Sequence, residues 1–197
     1  MSADGYIRFQ CEWVRAGPMA FAEFDELNAA RQRARELGLI GVYPNGIGFG
    51  NISVRMDDGE RHRGSRTPRA RTLRPGNGFD RERNWVRRAG PIRASAELMT
   101  HAAIYQADSS ARAVLHGHHR GLWLAALDRE PTTDQAVEYG TPGMAAEIQR
   151  LFGEGDAGRI RFIVMGGHEE GLLSFGSNVE EALREYEERL ARLVPPR

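Results

Sequence analysis

Three of the six histidines are spaced in a way that could hold a metal ion. His116 and His118 stand two residues apart, at the end of the apolar stretch ARAVLH. In an extended chain, residues i and i+2 point to the same face, so both imidazoles can converge on one ion. His168 lies in the sequence GGHEE between two later apolar segments and is a candidate third ligand. Three histidines leave coordination positions open for substrate, which is typical of a catalytic metal site.

The same histidines also admit a plainer interpretation. An H-x-H-H run can be a polar turn, because short motifs are weak evidence by themselves. His119 points away from the pair, and we expect it to support the pair or to face solvent. His101 is expected to pack or to form a hydrogen bond, and His62 is assigned no role.

Glu97 is a candidate proton shuttle. It lies near the start of a predicted helix that should bring it to the strand ends. A carboxyl group within hydrogen-bond reach of a substrate can act as general acid and base. The alternative is a surface glutamate stabilised by the helix dipole.

The composition excludes several kinds of chemistry. All 27 basic residues are arginine and none is lysine. Lysine-dependent aldolases, pyridoxal-phosphate enzymes and P-loop kinases are therefore excluded, because arginine cannot supply the amine.

The 27 acidic residues bring the net charge to +0, which argues against a globally basic nucleic-acid binder. No apolar run approaches a membrane span, and the single cysteine, Cys11, excludes an intrachain disulfide and favours the cytoplasm.

Periodicity predicts helices and strands that interleave along the chain, which indicates an α/β or α+β fold. Ser95 is the expected N-cap of the second helix, and Ser177 or Asn178 that of the last. The predicted helices cover residues 19–38, 94–107, 120–127, 141–152 and 177–194. A glycine-rich loop leads into a predicted strand through Ile52, Val54 and Met56, and further strands are predicted at 111–116, 159–165 and 171–176.

Residues 61–79 break this pattern. The segment contains six arginines, two prolines and no acidic residue, and it has almost no apolar periodicity. We therefore do not assign it regular structure, and we expect it to be poorly ordered or to lie at the surface. Two explanations stay open: a local reading-frame slip, or a genuine basic loop that binds an anionic substrate or nucleic acid.

Four sequence blocks, in this order, resemble the class II aldolase/adducin family. GFGNISVR (48–55) resembles its substrate loop, and ASAELMTHAAIY (94–105) resembles its Ser-Ser-Glu helix. AVLHGHHRGLWLAAL (113–127) resembles the strand with its paired metal histidines, and VMGGHEEGLLSFGSNVEEAL (164–183) resembles the segment with the third histidine. The resemblance implies one domain over residues 1–197, a three-layer α/β/α fold with a central, mostly antiparallel sheet, and a homotetramer.

The resemblance also implies roles for individual residues. His116, His118 and His168 match ligands of a divalent ion, with zinc expected. Glu97 matches the catalytic acid/base, and Tyr139 matches a tyrosine that assists protonation from a neighbouring subunit. The substrate-binding positions are Gly50, Asn51 and Ser95.

The implied activity is a metal-dependent aldolase-type lyase. It would cleave a carbon–carbon bond in a small hydroxy-carbonyl compound, a sugar or sugar phosphate, through a metal-stabilised enediolate. An epimerase, a dehydratase, a decarboxylase or a non-catalytic, adducin-like interaction domain are the alternatives. Three departures bear on the substrate: Ala96 replaces the second serine, the turn after His168 is about two residues longer, and the segment 61–79 replaces the phosphate loop.

Overall fold

The computed structural model describes residues 10–15, 24–55, 62–66, 69–73, 79–80, 85–90 and 95–194, and for residues 62–90 it describes the backbone. The helices are α1 (Phe24–Glu36), α2 (Leu98–Ala107), α3 (Arg120–Ala126), α4 (Pro142–Gly153), α5 (Ala157–Ile160) and α6 (Val179–Leu193). The strands are β1 (Gln10–Arg15), β2 (Gly41–Val42), β3 (Gly48–Phe49), β4 (Asn51–Arg55), β5 (His62–Arg66), β6 (Arg69–Leu73), β7 (Phe79–Asp80), β8 (Trp85–Gly90), β9 (Ala113–His118), β10 (Phe162–Val164) and β11 (Gly171–Gly176).

One large sheet organises the described part of the chain. Its strand order is β1-β8-β6-β5-β4-β9-β11-β10, and β7 pairs with β8 at one side. The pairing of β1 with β8 is parallel, whereas the other pairs in this sheet are antiparallel. Strands β2 and β3 form a separate antiparallel hairpin. This arrangement confirms the prediction of a mostly antiparallel sheet.

Two apolar cores lie on opposite faces of this sheet. Alternate residues of β9 belong to different cores: Leu115 packs with α1, α3 and α6, whereas Val114 packs with α2, α4 and α5. A strand that is covered on both faces is expected to contain a continuous apolar run, as β9 does over residues 113–115. The helices on both faces give the three-layer α/β/α arrangement that the resemblance implied. Among the described residues, no helix is long and apolar enough to cross a membrane.

The last helix begins as its sequence predicts. The Oδ1 atom of Asn178 accepts a hydrogen bond from the backbone N–H of Glu181 at 2.8 Å, and the Oε2 atom of Glu181 accepts one from the N–H of Ser177 at 2.9 Å. Asn178 is therefore the cap, and the side chain of Glu181 reaches back past it to the N–H of Ser177, one residue before the position that a standard capping box uses.

Two sequence-based boundaries are wrong. Helix α2 begins at Leu98 with Glu97 at the N-cap, so Ser95 is not the cap. The Ser95 hydroxyl instead accepts from the N–H of Glu97, two residues on, within the preceding turn. The predicted strand 159–165 begins only at Phe162, because residues up to Ile160 form α5 and Arg161 adopts a left-handed backbone with φ +57°.

The arginine-rich segment contains regular structure, which corrects the expectation of an irregular one. Strand β5 pairs with β4, and β6 pairs with β5, both antiparallel. Strand pairing is made by backbone N–H and C=O groups, so it does not require the apolar periodicity that this segment lacks. The expected surface position of its side chains, and the organisation of residues 1–197 as one domain, stay predictions because they fall partly outside the described residues.

Candidate active site

Strand β9 presents the first two histidines on one face of the sheet. His116 and His118 lie on the side of α2 and α4, and Gly117 between them faces α6, where it approaches Tyr186. Both imidazoles are buried. The two-residue spacing therefore places the side chains as the sequence predicts.

The turn between β10 and β11 carries His168 to the same place. Its N–H donates to the carbonyl oxygen of Met165 at 3.1 Å, and its own carbonyl accepts from Gly171 at 2.8 Å. Glu170 has a φ of +69°, which closes the turn. A Cβ atom on residue 171 would overlap the imidazole of His168, so this position requires glycine.

The two residues that follow β9, His119 and Arg120, contact the turn that carries His168. The backbone N–H of His119 donates to the carbonyl of Glu170 at 3.1 Å, and the guanidinium of Arg120 pairs with the carboxylate of Glu169. The imidazole Nδ1 of His119 accepts from the N–H of Leu122 at 3.0 Å and caps α3. His119 thus supports the site without belonging to it.

The three histidines converge through their Nε2 atoms. The Nε2 of His118 lies 3.0 Å from the Nε2 of His116 and 3.0 Å from that of His168. One nitrogen from each ring falls in a group whose atoms all lie within 4.8 Å of one another. Three converging imidazole nitrogens form a donor set that suits a borderline divalent cation.

The hydrogen bond at Nδ1 of His116 and the burial of its ring both favour a neutral imidazole with a free Nε2 lone pair. The Nδ1 of His116 donates to the carbonyl oxygen of Leu172 at 3.1 Å, and this bond leaves the Nε2 lone pair directed at the cluster. Burial lowers the pKa of His116 well below its ordinary value, and the nearby His118 and His168 lower it further. Since a neutral imidazole is the form that binds a metal, the residues present fit a divalent ion.

Glu97 lies in the same pocket, immediately before α2. Its carboxylate is buried, and the Oε2 atom accepts a hydrogen bond from the hydroxyl of Thr100 at 2.7 Å. The carboxyl group of Glu97 is therefore held inside the pocket and not exposed as a surface glutamate would be, and its role in proton transfer stays a prediction.

Strand β4 and the turn before α2 add polar groups. Asn51 pairs with His116 in the sheet register, and its Nδ2 donates to the hydroxyl of Ser95 at 3.2 Å. Gly50 has a φ of +68°, and a Cβ atom there would lie 2.5 Å from the carbonyl oxygen of Leu39. Gly50 therefore lets the glycine-rich loop turn closely past this segment into β4.

Aromatic and apolar groups complete the pocket wall. The ring of Tyr139 is buried and lies 4.2 Å from that of His168, measured between centroids, within the same chain. Phe49 and Ala96 also line the pocket, which is partly open to solvent. The structure thus brings together all eight residues selected from the sequence: Gly50, Asn51, Ser95, Glu97, His116, His118, Tyr139 and His168.

Comparisons with known proteins identify the family of this chain. Residues 44–193, well over half of the chain, match the family model described as the Class II Aldolase and Adducin N-terminal domain. The chain belongs to the class II aldolase and adducin family. No curated protein sequence matches it significantly.

Solved structures of this family share its fold. An L-fuculose 1-phosphate aldolase superposes with a TM-score of 0.62 at 20% identity, over 88% of this chain and 86% of that one. The l-fuculose-1-phosphate aldolase from Thermus thermophilus gives 0.57 at 21% identity, over 86% and 88%. YgbL from Escherichia coli, described as a candidate aldolase/epimerase/decarboxylase, gives 0.57 at 18% identity, over 86% and 84%.

This class II aldolase-type domain has a further group of buried polar residues around Ser53, which follows Asn51 by two residues in β4. The hydroxyl of Ser53 lies 2.7 Å from the Nδ1 of His101 and 2.9 Å from the hydroxyl of Tyr105, and all three residues are buried. His101 therefore forms a hydrogen bond inside the protein, as predicted, and lies outside the cluster of converging histidines.

Sequence reasoning did not select three residues that contribute to the site. Tyr43 contacts His118, Phe49 lines the pocket, and Thr100 holds Glu97. Thr100 could have been found, because residues i and i+3 of a helix lie on one face. Tyr43 and Phe49 lie in a glycine-rich loop, where no periodicity indicates the direction of a side chain.

Proposed function

We propose that this protein is a metal-dependent lyase of the aldolase type that cleaves a carbon–carbon bond in a small hydroxy-carbonyl compound. The observation that carries the proposal is the convergence of three histidine Nε2 atoms in a pocket that also contains the carboxylate of Glu97. An open metal site and a buried acid/base group are the two elements that lysine-free aldol chemistry needs.

His116, His118 and His168 would hold the ion. A divalent cation bound there supplies a Lewis acid that polarises a carbonyl oxygen and stabilises the negative charge that develops on bond cleavage. Zinc is the proposed ion, because a three-histidine donor set is typical of catalytic zinc sites.

Glu97 is the proposed proton carrier. Its burial limits contact of the carboxyl group with bulk water, and the Thr100 hydroxyl holds the Oε2 atom in a defined orientation. The carboxyl group would deliver a proton to, or remove one from, the carbon next to the polarised carbonyl.

The remaining pocket residues would bind the substrate. The hydrogen-bonded pair of Asn51 and Ser95 offers polar atoms to substrate hydroxyl groups, and Gly50 allows the chain to pass closely. Tyr139 would help to remove the proton from the hydroxyl group that becomes the aldehyde oxygen on cleavage, and to return it in the reverse direction. Its action on a neighbouring subunit stays a prediction of the family resemblance.

The assembly and location are part of the same proposal. Association of copies into a homotetramer is proposed on the family resemblance. The cytoplasm is proposed because Cys11 is the single cysteine. Neither a membrane nor a nucleic acid is part of the proposal.

The experiment measures metal content and reaction products on the same preparation. The protein is purified, stripped with a chelator and reloaded with zinc, manganese or iron. Each form is then incubated with hydroxy-ketones and ketoses, with and without a phosphate group, and aldehyde release is followed by a coupled reductase. We expect about one tightly bound ion per chain and aldehyde release that depends on that ion.

Other products would contradict the proposal. An inverted stereocentre without cleavage would indicate an epimerase, loss of water a dehydratase, and release of carbon dioxide a decarboxylase. A protein that binds no divalent ion would favour the non-catalytic interaction domain.

A further inference from the structure

The hairpin formed by β2 and β3 is anchored at its base next to His118. The backbone N–H of His118 donates to the carbonyl oxygen of Leu39 at 2.9 Å. On the other side of the hairpin, Gly50 approaches that same carbonyl and the side chain of Ile40 closely enough to exclude a Cβ atom. The segment on either side of the hairpin is thus fixed to the strand that carries two of the converging histidines.

The turn of this hairpin fixes the backbone of Tyr43. The N–H of Tyr43 donates to the carbonyl of Ile47 at 2.8 Å, and the carbonyl of Tyr43 accepts from Gly46 at 2.9 Å. Asn45 accepts from the N–H of Ile47 at 3.0 Å through its side chain, and Gly46 takes the positive φ of +81° that the turn requires. With both backbone groups engaged, the side chain of Tyr43 leaves the turn in one direction.

The side chain of Tyr43 reaches the Nδ1 of His118, the ring nitrogen that faces away from the three converging Nε2 atoms. The hydroxyl oxygen of Tyr43 lies 3.0 Å from the Nδ1 of His118. The ring of Phe49 supports both partners, with centroid distances of 4.5 Å to Tyr43 and 5.5 Å to His118. Tyr43 is half-buried at the edge of the site, unlike the fully enclosed histidines.

We propose that Tyr43 is a positioning residue of the metal site, whose hydroxyl oxygen accepts the Nδ1–H of His118 and so holds its Nε2 toward the ion. The inference rests on the proposed metal site. A histidine that binds through Nε2 keeps its proton on Nδ1, and the partner of that proton sets the tautomer and the angle of the ring. For His116 that partner is a strand carbonyl, that of Leu172, whereas for His118 it is a side chain on a hairpin with an exposed tip.

The test is Tyr43→Phe, which removes one oxygen atom and keeps the ring that packs on Phe49. We expect zinc affinity, measured by competition with a chelator, to fall about 10–100-fold, the usual effect of losing an outer partner of a ligand. The stability of the metal-free protein should change little, because Tyr43 is only half-buried and its ring stays in place. Tyr105→Phe is the matched control: it removes a buried hydroxyl that bonds Ser53, so it should lower stability and leave zinc affinity unchanged.

A spectroscopic readout separates positioning from general destabilisation. In zinc-loaded protein labelled with ¹⁵N-histidine, the Nδ1–H protons of His116 and His118 should both exchange slowly with solvent. In Tyr43→Phe the His118 signal should shift and exchange faster, whereas the His116 signal, bonded to Leu172, should stay unchanged and serve as an internal reference. The absorption bands of the cobalt-substituted protein should shift as well, because they report ligand geometry.

The outcomes distinguish this inference from the proposed function. Unchanged zinc affinity and an unchanged His118 signal in Tyr43→Phe, with one ion bound to both proteins, would overturn the role of Tyr43 alone. A wild-type protein that binds no divalent ion would overturn the metal site and the inference together. A fall in affinity matched by Tyr105→Phe would also overturn it, because the effect would then follow stability.

Discussion

The backbone N–H of Gly117 donates a hydrogen bond to the hydroxyl of Tyr186 at 2.9 Å, and the same hydroxyl donates to the carbonyl of Leu172 at 2.6 Å. Gly117 lies between the paired histidines of β9, on the opposite face of the sheet. A Cβ atom there would lie 3.1 Å from the Tyr186 hydroxyl, so glycine allows helix α6 to reach the strand. One buried tyrosine thus ties the strand with the histidine pair to the helical layer behind it.

Replacing this tyrosine should destabilise the protein. Tyr186→Phe leaves the buried N–H of Gly117 without its partner, and an unsatisfied buried donor costs about 1–3 kcal/mol. Unfolding of the metal-free protein in urea measures this loss. An unchanged midpoint at an unchanged slope would show that water replaces the hydroxyl at this position.

Alkaline pH should destabilise the protein through its buried tyrosines. Burial raises the pKa of Tyr186 and of Tyr105 above the ordinary value of 10.0. The folded state therefore favours the protonated phenol. Its stabilising contribution is complete below pH 10 and is lost as the pH rises from there toward the raised pKa values, by up to about 1.4 kcal/mol per pH unit for each tyrosine.

The absence of lysine makes this effect measurable. Few other groups titrate in the same range, so the free energy of unfolding between roughly pH 9 and 12 should follow the tyrosines. The slope should be smaller in Tyr186→Phe and in Tyr105→Phe than in the wild type. Equal slopes in all three proteins would contradict the prediction.

Removal of either paired histidine should abolish metal binding. His116→Ala and His118→Ala each leave two imidazoles, which hold a divalent ion much more weakly than three. Metal content after gel filtration measures the loss, and circular dichroism checks that the fold persists. His119→Asn is the matched control from the same motif, because asparagine can still cap α3 and His119 is outside the converging group.

Replacing Glu97 separates proton transfer from metal binding. Glu97→Gln keeps the size of the side chain but cannot exchange a proton, so turnover should fall about 10²–10⁴-fold while the ion stays bound. Loss of both activity and metal would make Glu97 a ligand. No change in rate would favour the alternative of a helix-start glutamate without a catalytic role. Glu180→Gln, on an exposed side chain in the first turn of α6, is the matched control.

Placement of the third ligand should depend on Gly167. A Cβ atom there would overlap the carbonyl oxygen of Val137, so Gly167→Ala must displace the segment that leads into His168. We expect weaker metal binding although the paired histidines are unchanged. Gly153→Ala is the control, because a Cβ atom at that position meets nothing within 4 Å and alanine favours a helix. Equal metal affinity in the two variants would contradict the prediction.

Several features follow from the sequence alone because they depend on neighbours along the chain. The two-residue period of a strand directs His116 and His118 to one face, independently of how the strand packs against the rest of the protein. The capping of α6 by Asn178 is likewise local, since its partner Glu181 lies three residues away. The absence of lysine excludes Schiff-base chemistry before any fold is considered.

Local signals failed where partners come from elsewhere in the chain. Ser95 has the residue type of an N-cap, but Asn51 of β4 also bonds its hydroxyl, and α2 begins three residues later. The arginine-rich segment has no apolar period, yet β5 and β6 take their places in the sheet through backbone pairing with β4 and with each other.

The tertiary structure decided how distant groups meet at the site: His168 was already a candidate ligand from the sequence, whereas Tyr43 was not. His168 reaches His118 across 50 residues of sequence, and Tyr43 reaches it across 75. These contacts depend on the order of the strands, on the turn at Gly171 and on the approach of the hairpin to β9. None of these has a signature in the neighbouring residues, because a contact between distant segments is set by the packing of the whole sheet and its two helical layers.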